Sequence, residues 1–212
     1  MYVHDGQNVF DVASSFSGEW QVDETLTDLE NRGFETAIVV AIDNGGEHRI
    51  NEYTTYTNDE HGGGEGEAYL QFIVETLKPK IDSNFRTLAD AQHTVIMGSS
   101  LGGLISHYAH FKYPNVFGKL GSFSASYWFS DEYFTFTREC STPVHSKIYL
   151  LAGLQEWDSA SFSLKMNALL INKGYTNKNL KMLTPADGQH AEWFWAREFE
   201  AAFLWLMSET NE

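Results

Sequence analysis

The stretch Gly98-Ser99-Ser100-Leu101-Gly102 decides the fold. It follows the apolar run Thr94-Val95-Ile96-Met97 and precedes residues 103–113, which are typical of a helix. This order predicts a strand, a tight turn that carries a serine, and a helix. Such a turn lifts a serine Oγ above the carboxyl edge of a parallel sheet, where a base can reach it. The alternative is an ordinary Gly/Ser loop that enters a helix, so the rest of the chain has to decide.

Composition excludes several classes of function. The chain has 212 residues, 42% of them hydrophobic, which is enough for the core of one domain over residues 1–212. Its formal net charge of −15 repels nucleic acids and anionic membrane surfaces. The one cysteine, Cys140, excludes an internal disulfide, and no apolar run reaches transmembrane length. We therefore expect neither a nucleic-acid partner nor a membrane partner.

Strands and helices alternate along the chain. Apolar runs predict strands at residues 1–4, 36–42, 93–97, 119–123, 148–152 and 180–183. Apolar residues at helical spacing predict helices around residues 22–32, 68–84, 103–113, 162–173 and 195–206. The run 36–42 is continuous, as in strands that are covered on both faces. The alternation predicts an α/β layer sandwich around a mostly parallel sheet.

Two segments lack a clear period. Residues 47–67 are polar and long for a connection, so we expect a mobile loop near a site. Residues 130–143 are predicted to be a non-periodic excursion. Within the first segment, Arg49 and Glu52 could form an ion pair that braces the loop or could clamp a substrate, and we favour the brace.

A serine hydroxyl needs a base within hydrogen-bond reach before it can act as a nucleophile. His190 is the best placed histidine, because it follows the last predicted strand and so shares the carboxyl edge with Ser100. A core or surface role without chemistry is expected for His93, His107, His110 and His145.

An acid must hold the base in one tautomer. In hydrolases with the chain order serine, acid, histidine, this acid lies between the other two. Glu156 and Asp158 both follow the predicted strand 148–152, and we choose Glu156 because it lies nearer the end of that strand. Asp158 remains the alternative. Asp187 lies too close in sequence to His190 to be a comfortable partner.

The remaining parts of a site follow from their positions in the chain. A developing oxyanion needs two backbone donors, which we assign to the N–H groups of Leu101 and Gln7. The aromatic residues Trp128, Phe129 and Trp157 are expected to wall an acyl or alcohol pocket, with core packing as the alternative. No His-x-x-x-His or clustered-cysteine pattern is present, so we expect no metal and no organic cofactor.

Together these stretches resemble the esterase family of α/β hydrolases, which includes feruloyl esterases, siderophore esterases, S-formylglutathione hydrolases and mycolyl transferases. The resemblance covers essentially the whole chain. It rests on Tyr2-Val3-His4-Asp5-Gly6-Gln7-Asn8, Arg49 with Glu52-Tyr53, Gly98-Ser99-Ser100-Leu101-Gly102-Gly103, Ser124-Ala125-Ser126-Tyr127-Trp128, Gly153-Leu154-Gln155-Glu156 and Gly188-Gln189-His190.

The resemblance implies a three-layer α/β-hydrolase sandwich, with Ser100 as nucleophile, Glu156 as acid and His190 as base, and with Gln7 and Leu101 shaping the oxyanion hole. It also implies hydrolysis of a small carboxylic ester through an acyl-enzyme. Two other functions stay open. A thioesterase of the S-formylglutathione hydrolase type is disfavoured by the scarcity of basic residues. A non-catalytic binding module on the same scaffold is disfavoured by the intact set of serine, acid and histidine.

The chain departs from the family at its start, where two strands that normally precede the strand at Met1 are absent. We therefore expect residues 36–42 to form an exposed apolar sheet edge. Another chain, as in a homo-oligomer, or residues missing from this sequence would cover it. Because Met1 leads directly into Tyr2-Val3-His4, we expect no signal peptide in this chain and favour the cytoplasm. Upstream sequence, with any targeting segment, would be missing.

Overall fold

The computed structural model describes residues 1–141, 146–156 and 158–208. The strands of the main sheet are β1 (Tyr2–His4), β2 (Val40–Ile42), β5 (Val95–Ser99), β6 (Lys119–Phe123), β7 (Lys147–Leu151) and β8 (Leu180–Leu183). Their order in the sheet is β2-β1-β5-β6-β7-β8, and each neighbouring pair is parallel. A separate antiparallel hairpin consists of β3 (Thr57–Asn58) and β4 (Gly62–Gly63). The predicted parallel sheet is confirmed.

Helices connect the strands. They are α1 (Val22–Asn31), α2 (Arg49–Tyr53), α3 (Gly66–Phe72), α4 (Lys78–Asn84), α5 (Leu101–Lys112), α6 (Glu132–Glu139), α7 (Ser159–Asn172) and α8 (Glu192–Met207). A π-helical segment, Ile73–Leu77, joins α3 to α4, so the predicted helix over residues 68–84 is one run that contains Pro79. Proline lacks the N–H of a regular helix, and Pro79 is the second residue of α4, where that N–H has no partner within the helix. In the described ranges, no helix has the length and apolar character to cross a membrane.

Helices cover both faces of the sheet. Along β5, the side chains of Val95 and Met97 belong to a core that includes α1 and α8, whereas Ile96 belongs to a second core that includes α5 and α7. Successive side chains of a strand point to opposite faces, which divides β5 between the two cores in this way. The expected three-layer α/β-hydrolase sandwich is therefore confirmed.

The predicted strand over residues 36–42 is shorter than expected. Only β2 is regular, and it lies at the edge of the sheet beside β1. Val40 and Ala41 are half-buried, and Ile38 is 40% exposed. Both faces of the run are covered, as predicted, since Val40 and Ile42 belong to the core that includes α5 and α7, whereas Val39 and Ala41 pack against the core that includes α1 and α8. The prediction of an apolar edge is confirmed for the described residues.

Two segments contain more structure than their sequences predict. Residues 47–67 hold α2 and the β3–β4 hairpin, and Tyr53 within them is fully buried. Residues 130–143, expected to be non-periodic, contain α6. In α6 the buried residues are Tyr133, Phe134 and Thr137. A helix of two turns with a threonine on its inner face offers too few apolar positions to reveal the helical period.

Three histidines are buried in the two cores. His107 Nε2 lies 2.8 Å from Thr137 Oγ1, and His107 Nδ1 lies 3.0 Å from the Tyr127 hydroxyl. Thr137 Oγ1 donates its own proton to the carbonyl of Tyr133. His107 Nε2 therefore has to donate to Thr137, which leaves Nδ1 as the acceptor and the ring neutral. Burial lowers the pKa of His107 to about 3, and it lowers the pKa values of His4 and His110 to about 4.

We predict that the protein loses stability as the pH falls below about 6.5, the ordinary pKa of histidine. Between that pH and the lowered pKa values, the unfolded chain binds protons at His4, His107 and His110 that the folded chain does not. Each group contributes at most about 1.4 kcal/mol for each pH unit. Urea unfolding at pH 7.5, 6.5, 5.5 and 4.5 measures the slope, with the exposed His93→Gln as a control that keeps it. A flat free energy of unfolding between pH 6.5 and 4.5 would contradict the prediction.

We also predict that a second copy of the chain covers the β2 edge. Unpaired strand edges with apolar side chains associate readily, and a lysine at such an edge prevents pairing. Light scattering after gel filtration is expected to give an oligomer for the wild type and a smaller particle for Ile38→Lys. A monomeric wild type would refute this assignment of the edge.

Candidate active site

Ser100 lies in the turn between β5 and α5, at the carboxyl edge of the sheet. Its backbone has φ 56° and ψ −123°, and its N–H donates to the carbonyl of Phe123 at 2.9 Å. A positive φ is strained for serine, so the surrounding chain must hold it. A Cβ on Gly98 would lie 2.6 Å from the backbone of Gly102, so the turn cannot close around a larger residue. This geometry presents the Ser100 side chain at the edge of the sheet.

The Ser100 hydroxyl has a serine as its neighbour. Ser100 Oγ lies 3.2 Å from Ser126 Oγ, and the Ser126 N–H donates to the Ser100 carbonyl at 3.1 Å. Ser126 is buried and follows β6. Among the residues described, no hydrogen bond joins Ser100 Oγ to His190. The resting position of the hydroxyl is therefore set by Ser126.

His190 and Glu156 meet at the same edge. His190 Nδ1 lies 3.0 Å from Glu156 Oε2, and the Glu156 side chain is fully buried whereas that of His190 is 37% exposed. Asp158, the alternative acid, is exposed just before α7. The Asp187 carboxylate forms an ion pair with Arg197 at 2.6 Å. Of the three acidic residues considered from the sequence, Glu156 is the one in contact with His190.

Two glycines allow close contact between the loop after β7, which carries Glu156, and the loop after β8, which carries His190. A Cβ on Gly153 would lie 2.2 Å from the backbone of Gly188, and a Cβ on Gly188 would lie 2.6 Å from Gly153 Cα. The loops also share a hydrogen bond from the Gln155 N–H to the Gly188 carbonyl at 3.0 Å. Side chains at these two positions would force the loops apart and separate Glu156 from His190.

The other carboxylate oxygen of Glu156, Oε1, accepts hydrogen bonds from groups other than His190. Glu156 Oε1 accepts from Ser124 Oγ at 2.7 Å and from the Gly153 N–H at 2.6 Å. Ser124 Oγ in turn accepts from Trp195 Nε1 at 2.8 Å. Ser124 lies in one of the stretches that resemble the family, but no role was predicted for it from the sequence. The signal in the sequence was a serine directly after a predicted strand, and the partner of this serine lies 32 residues away.

The two assigned oxyanion donors are the backbone N–H groups of Gln7, after β1, and Leu101, after β5. In the described part of the chain, neither the N–H of Gln7 nor that of Leu101 donates a hydrogen bond to another protein group. Leu101 is the first residue of α5, where a helix leaves its N–H groups unpaired. The Gln7 side chain exchanges two hydrogen bonds with the backbone of Asn44, at 3.0 and 3.2 Å. These bonds fix the loop after β1.

Arg49 braces this loop through a different partner from the one expected. Its guanidinium binds Asp5 in a bidentate pair, with distances of 2.7 and 2.8 Å. Glu52 instead accepts from the Gly45 N–H at 2.7 Å. The predicted Arg49–Glu52 pair is therefore wrong, because the tertiary fold places the buried carboxylate that follows β1 in position to match the planar guanidinium. Arg49 still braces the loop, as expected, but it does so by binding Asp5.

An open cleft lies beside the base. It is lined by Trp128, Glu156, Asp158, Ser159, Phe162 and His190. Trp128 is 45% exposed, so its indole offers a surface for a ligand. Phe129 is buried in the core instead. Trp157, the third expected wall residue, lies outside the described residues.

A group of carboxylates offers the geometry of a metal site at the protein surface. Oxygens of Glu19, Asp23 and Glu24 lie within 4.8 Å of one another. Asp23 and Glu24 occupy the first turn of α1, where negative side chains stabilise the positive end of the helix dipole. This helix-terminal role explains their position without an ion.

Comparison with known proteins gives a family match along the chain. The family described as "Putative esterase" matches residues 1–206. The chain is also similar to the Uncharacterized protein YbbA of Bacillus subtilis (strain 168), with 27% identity over 226 residues. That alignment covers 100% of this chain and 86% of YbbA.

Solved structures share the fold at low sequence identity. The BES protein from Bacillus cereus has a TM-score of 0.79 at 19% identity, over 98% of this chain and 82% of that one. The siderophore hydrolase EstA from Aspergillus nidulans has a TM-score of 0.76 at 20% identity, over 98% and 82%. The enterobactin esterase FES from Shigella flexneri has a TM-score of 0.75 at 21% identity, over 97% of this chain. The chain spans about half of FES, at 51%.

Proposed function

We propose that this chain, which belongs to the esterase family, is a serine hydrolase. It cleaves a small carboxylic ester through an acyl-enzyme. The observation that carries this proposal is the contact of 3.0 Å between Glu156 Oε2 and His190 Nδ1, at the sheet edge that presents Ser100 on its strained turn. A carboxylate on Nδ1 fixes the tautomer in which Nε2 is free to accept a proton. This tautomer makes His190 a general base.

In the first step, Ser100 Oγ attacks the ester carbonyl carbon and passes its proton to His190 Nε2. For this, the Ser100 hydroxyl exchanges its bond with Ser126 for one with His190, which substrate binding promotes. Negative charge develops on the carbonyl oxygen, and the N–H groups of Gln7 and Leu101 stabilise it. The intermediate collapses, the C–O bond breaks, and the alcohol leaves with the proton from His190.

In the second step, water replaces the alcohol. His190 Nε2 takes a proton from the water, whose oxygen attacks the acyl carbon of the Ser100 ester. The tetrahedral intermediate then releases the acid, and the proton returns to Ser100 Oγ. Glu156 stays ionised and stabilises the imidazolium that forms in each step. The residues named supply all the groups that this chemistry uses.

The cleft favours an ester without much negative charge. Its described lining includes two aromatic side chains, Trp128 and Phe162, and two carboxylates, but no lysine or arginine. Neighbouring Lys165 is paired with Asp131 at 3.0 Å. A glutathione thioester is anionic and would lack a basic partner here. A panel of short acyl, feruloyl and siderophore esters and a glutathione thioester tests this choice, and the highest kcat/KM on the glutathione thioester would favour a thioesterase.

We predict that Ser100→Ala lowers kcat on p-nitrophenyl acetate and butyrate by about 10³-fold or more, because the nucleophile is lost. Burst kinetics and covalent labelling by a fluorophosphonate should disappear with it. The exposed Ser83→Ala is the matched serine control and should keep both. Equal turnover by the wild type and Ser100→Ala, with no burst in either, would refute the enzyme assignment.

We predict that Glu156→Gln lowers kcat by about 10³- to 10⁴-fold, because a neutral amide neither fixes the reactive tautomer nor stabilises the imidazolium. Asp158→Asn is the matched control, since its exposed side chain lies two residues away, and it should retain nearly full activity. The reverse pattern, with full activity in Glu156→Gln, would move the acid role to Asp158. Steady-state kinetics on p-nitrophenyl butyrate decides between them.

A further inference from the structure

Ser124 occupies an unusual position in the turn after β6. It is fully buried, its φ is 47°, and its N–H donates to the carbonyl of Leu151 at 2.6 Å. Left-handed backbone is strained for a non-glycine residue. Glycine would remove this strain, so the serine side chain calls for an explanation from its own contacts.

The Ser124 hydroxyl lies in a chain of hydrogen bonds with one direction. Trp195 Nε1 lies 2.8 Å from Ser124 Oγ, and an indole N–H can only donate. The Ser124 oxygen therefore accepts from Trp195. Its own proton then points to Glu156 Oε1, 2.7 Å away, which as a carboxylate oxygen can only accept. Trp195 thus sets the direction of the hydroxyl.

The Glu156 carboxylate depends on such donors. With its side chain fully buried, it must obtain its hydrogen bonds from the protein. Oε1 has two donors, Ser124 and the Gly153 N–H, and Oε2 has His190. Loss of the Ser124 hydroxyl would leave Oε1 with one donor and the Trp195 N–H with none. The carboxylate could then turn away from His190.

Trp195 also contacts the base directly. Its ring meets the His190 ring edge to face, with centroids 5.1 Å apart and an interplanar angle of 85°. Trp195 is buried in α8, so both of its contacts are held by the core. One side chain thereby fixes the plane of His190 and, through Ser124, the orientation of Glu156.

We propose that Ser124 is a positioning residue, which aims the Glu156 carboxylate at His190 through a hydrogen bond that Trp195 directs. This inference rests on the proposed function, since it gives Ser124 a part in activating Ser100. Among the described residues, Ser124 forms no hydrogen bond with Ser100 or His190, and its hydroxyl acts on the base through Glu156.

The test compares two variants that remove the hydroxyl, Ser124→Ala and Ser124→Gly. Glycine suits the positive φ, so Ser124→Gly folds even where the alanine variant does not. Each variant is expected to lower kcat on p-nitrophenyl butyrate by about 10- to 100-fold, the usual effect of losing a group that orients a reactive side chain. KM should change less than about twofold, because the residue lies behind the acid. Equal kcat in the wild type and both variants would overturn the proposal.

Two further variants separate positioning from general loss of packing. Trp195→Phe keeps the ring against His190 and removes the N–H, so it should lower kcat less than Ser124→Gly does. The double variant should be no slower than Ser124→Gly alone, because Trp195 acts through Ser124. Ser122→Ala removes another buried hydroxyl of β6, bound to the Gly103 carbonyl at 3.1 Å, and should leave kcat unchanged. If Ser122→Ala lowers kcat as much as Ser124→Gly does, the loss reflects packing, and the proposal is overturned.

A second measurement does not depend on turnover. The deshielded proton resonance of His190 Nδ1, assigned by its loss in His190→Gln, reports the bond to Glu156. It should move upfield in Ser124→Ala and Ser124→Gly and stay in place in Ser122→Ala. If the wild type hydrolyses no ester of the panel and takes up no fluorophosphonate, the proposed function fails. The resonance still decides on Ser124, because an unchanged position in both variants would overturn its role.

Discussion

A carboxylate that is buried away from water must be surrounded by hydrogen-bond donors, and the Glu156 carboxylate imposes this demand on the whole edge of the sheet. Its donors come from three connections: Ser124 after β6, Gly153 after β7 and His190 after β8. Only a parallel sheet brings three consecutive strand ends to one edge. The close crossing of Gly153 and Gly188 brings the last two connections into contact. The acid is thus the point at which the fold and the proposed chemistry depend on each other.

A second buried carboxylate organises the opposite side of the site. Asp5 directly follows β1 in a left-handed conformation with φ 57°, and it binds Arg49 in a bidentate ion pair. The loop that follows carries Gln7, whose N–H is the proposed oxyanion donor. A bidentate pair fixes both the position and the angle of a carboxylate, whereas a lysine would fix its distance alone. Rigid donors stabilise a developing charge without first having to reorient. The Asp5–Arg49 pair therefore supports the preorganisation that the proposed mechanism requires.

Sequence patterns predicted those features that depend on local periodicity. The strands around Ser100 and the helices α1, α5 and α8 follow from apolar spacing, and the parallel sheet follows from their alternation. The features that the sequence did not predict are contacts between residues that lie far apart in the chain. Arg49 pairs with Asp5, 44 residues away, although Glu52 lies close in sequence. Nothing local in the chain distinguishes these two carboxylates as partners. The role of Ser124 depends in the same way on Glu156, in the connection after β7, and on Trp195, in α8.

The contact between Ser100 and Ser126 determines which hydrogen bond the Ser100 hydroxyl must exchange when substrate binds. Ser126 is buried, so its hydroxyl needs a partner, and Ser100 Oγ supplies one at 3.2 Å. A hydrogen bond between two neutral hydroxyls contributes about 1 kcal/mol. The exchange of Ser126 for His190 therefore costs little compared with the barrier that general-base catalysis removes, which is about 3 to 5 kcal/mol for a 10²- to 10⁴-fold effect. The turn after β6 thus touches both ends of the proposed triad, with Ser126 on the nucleophile and Ser124 on the acid. Its backbone fixes the spacing between them.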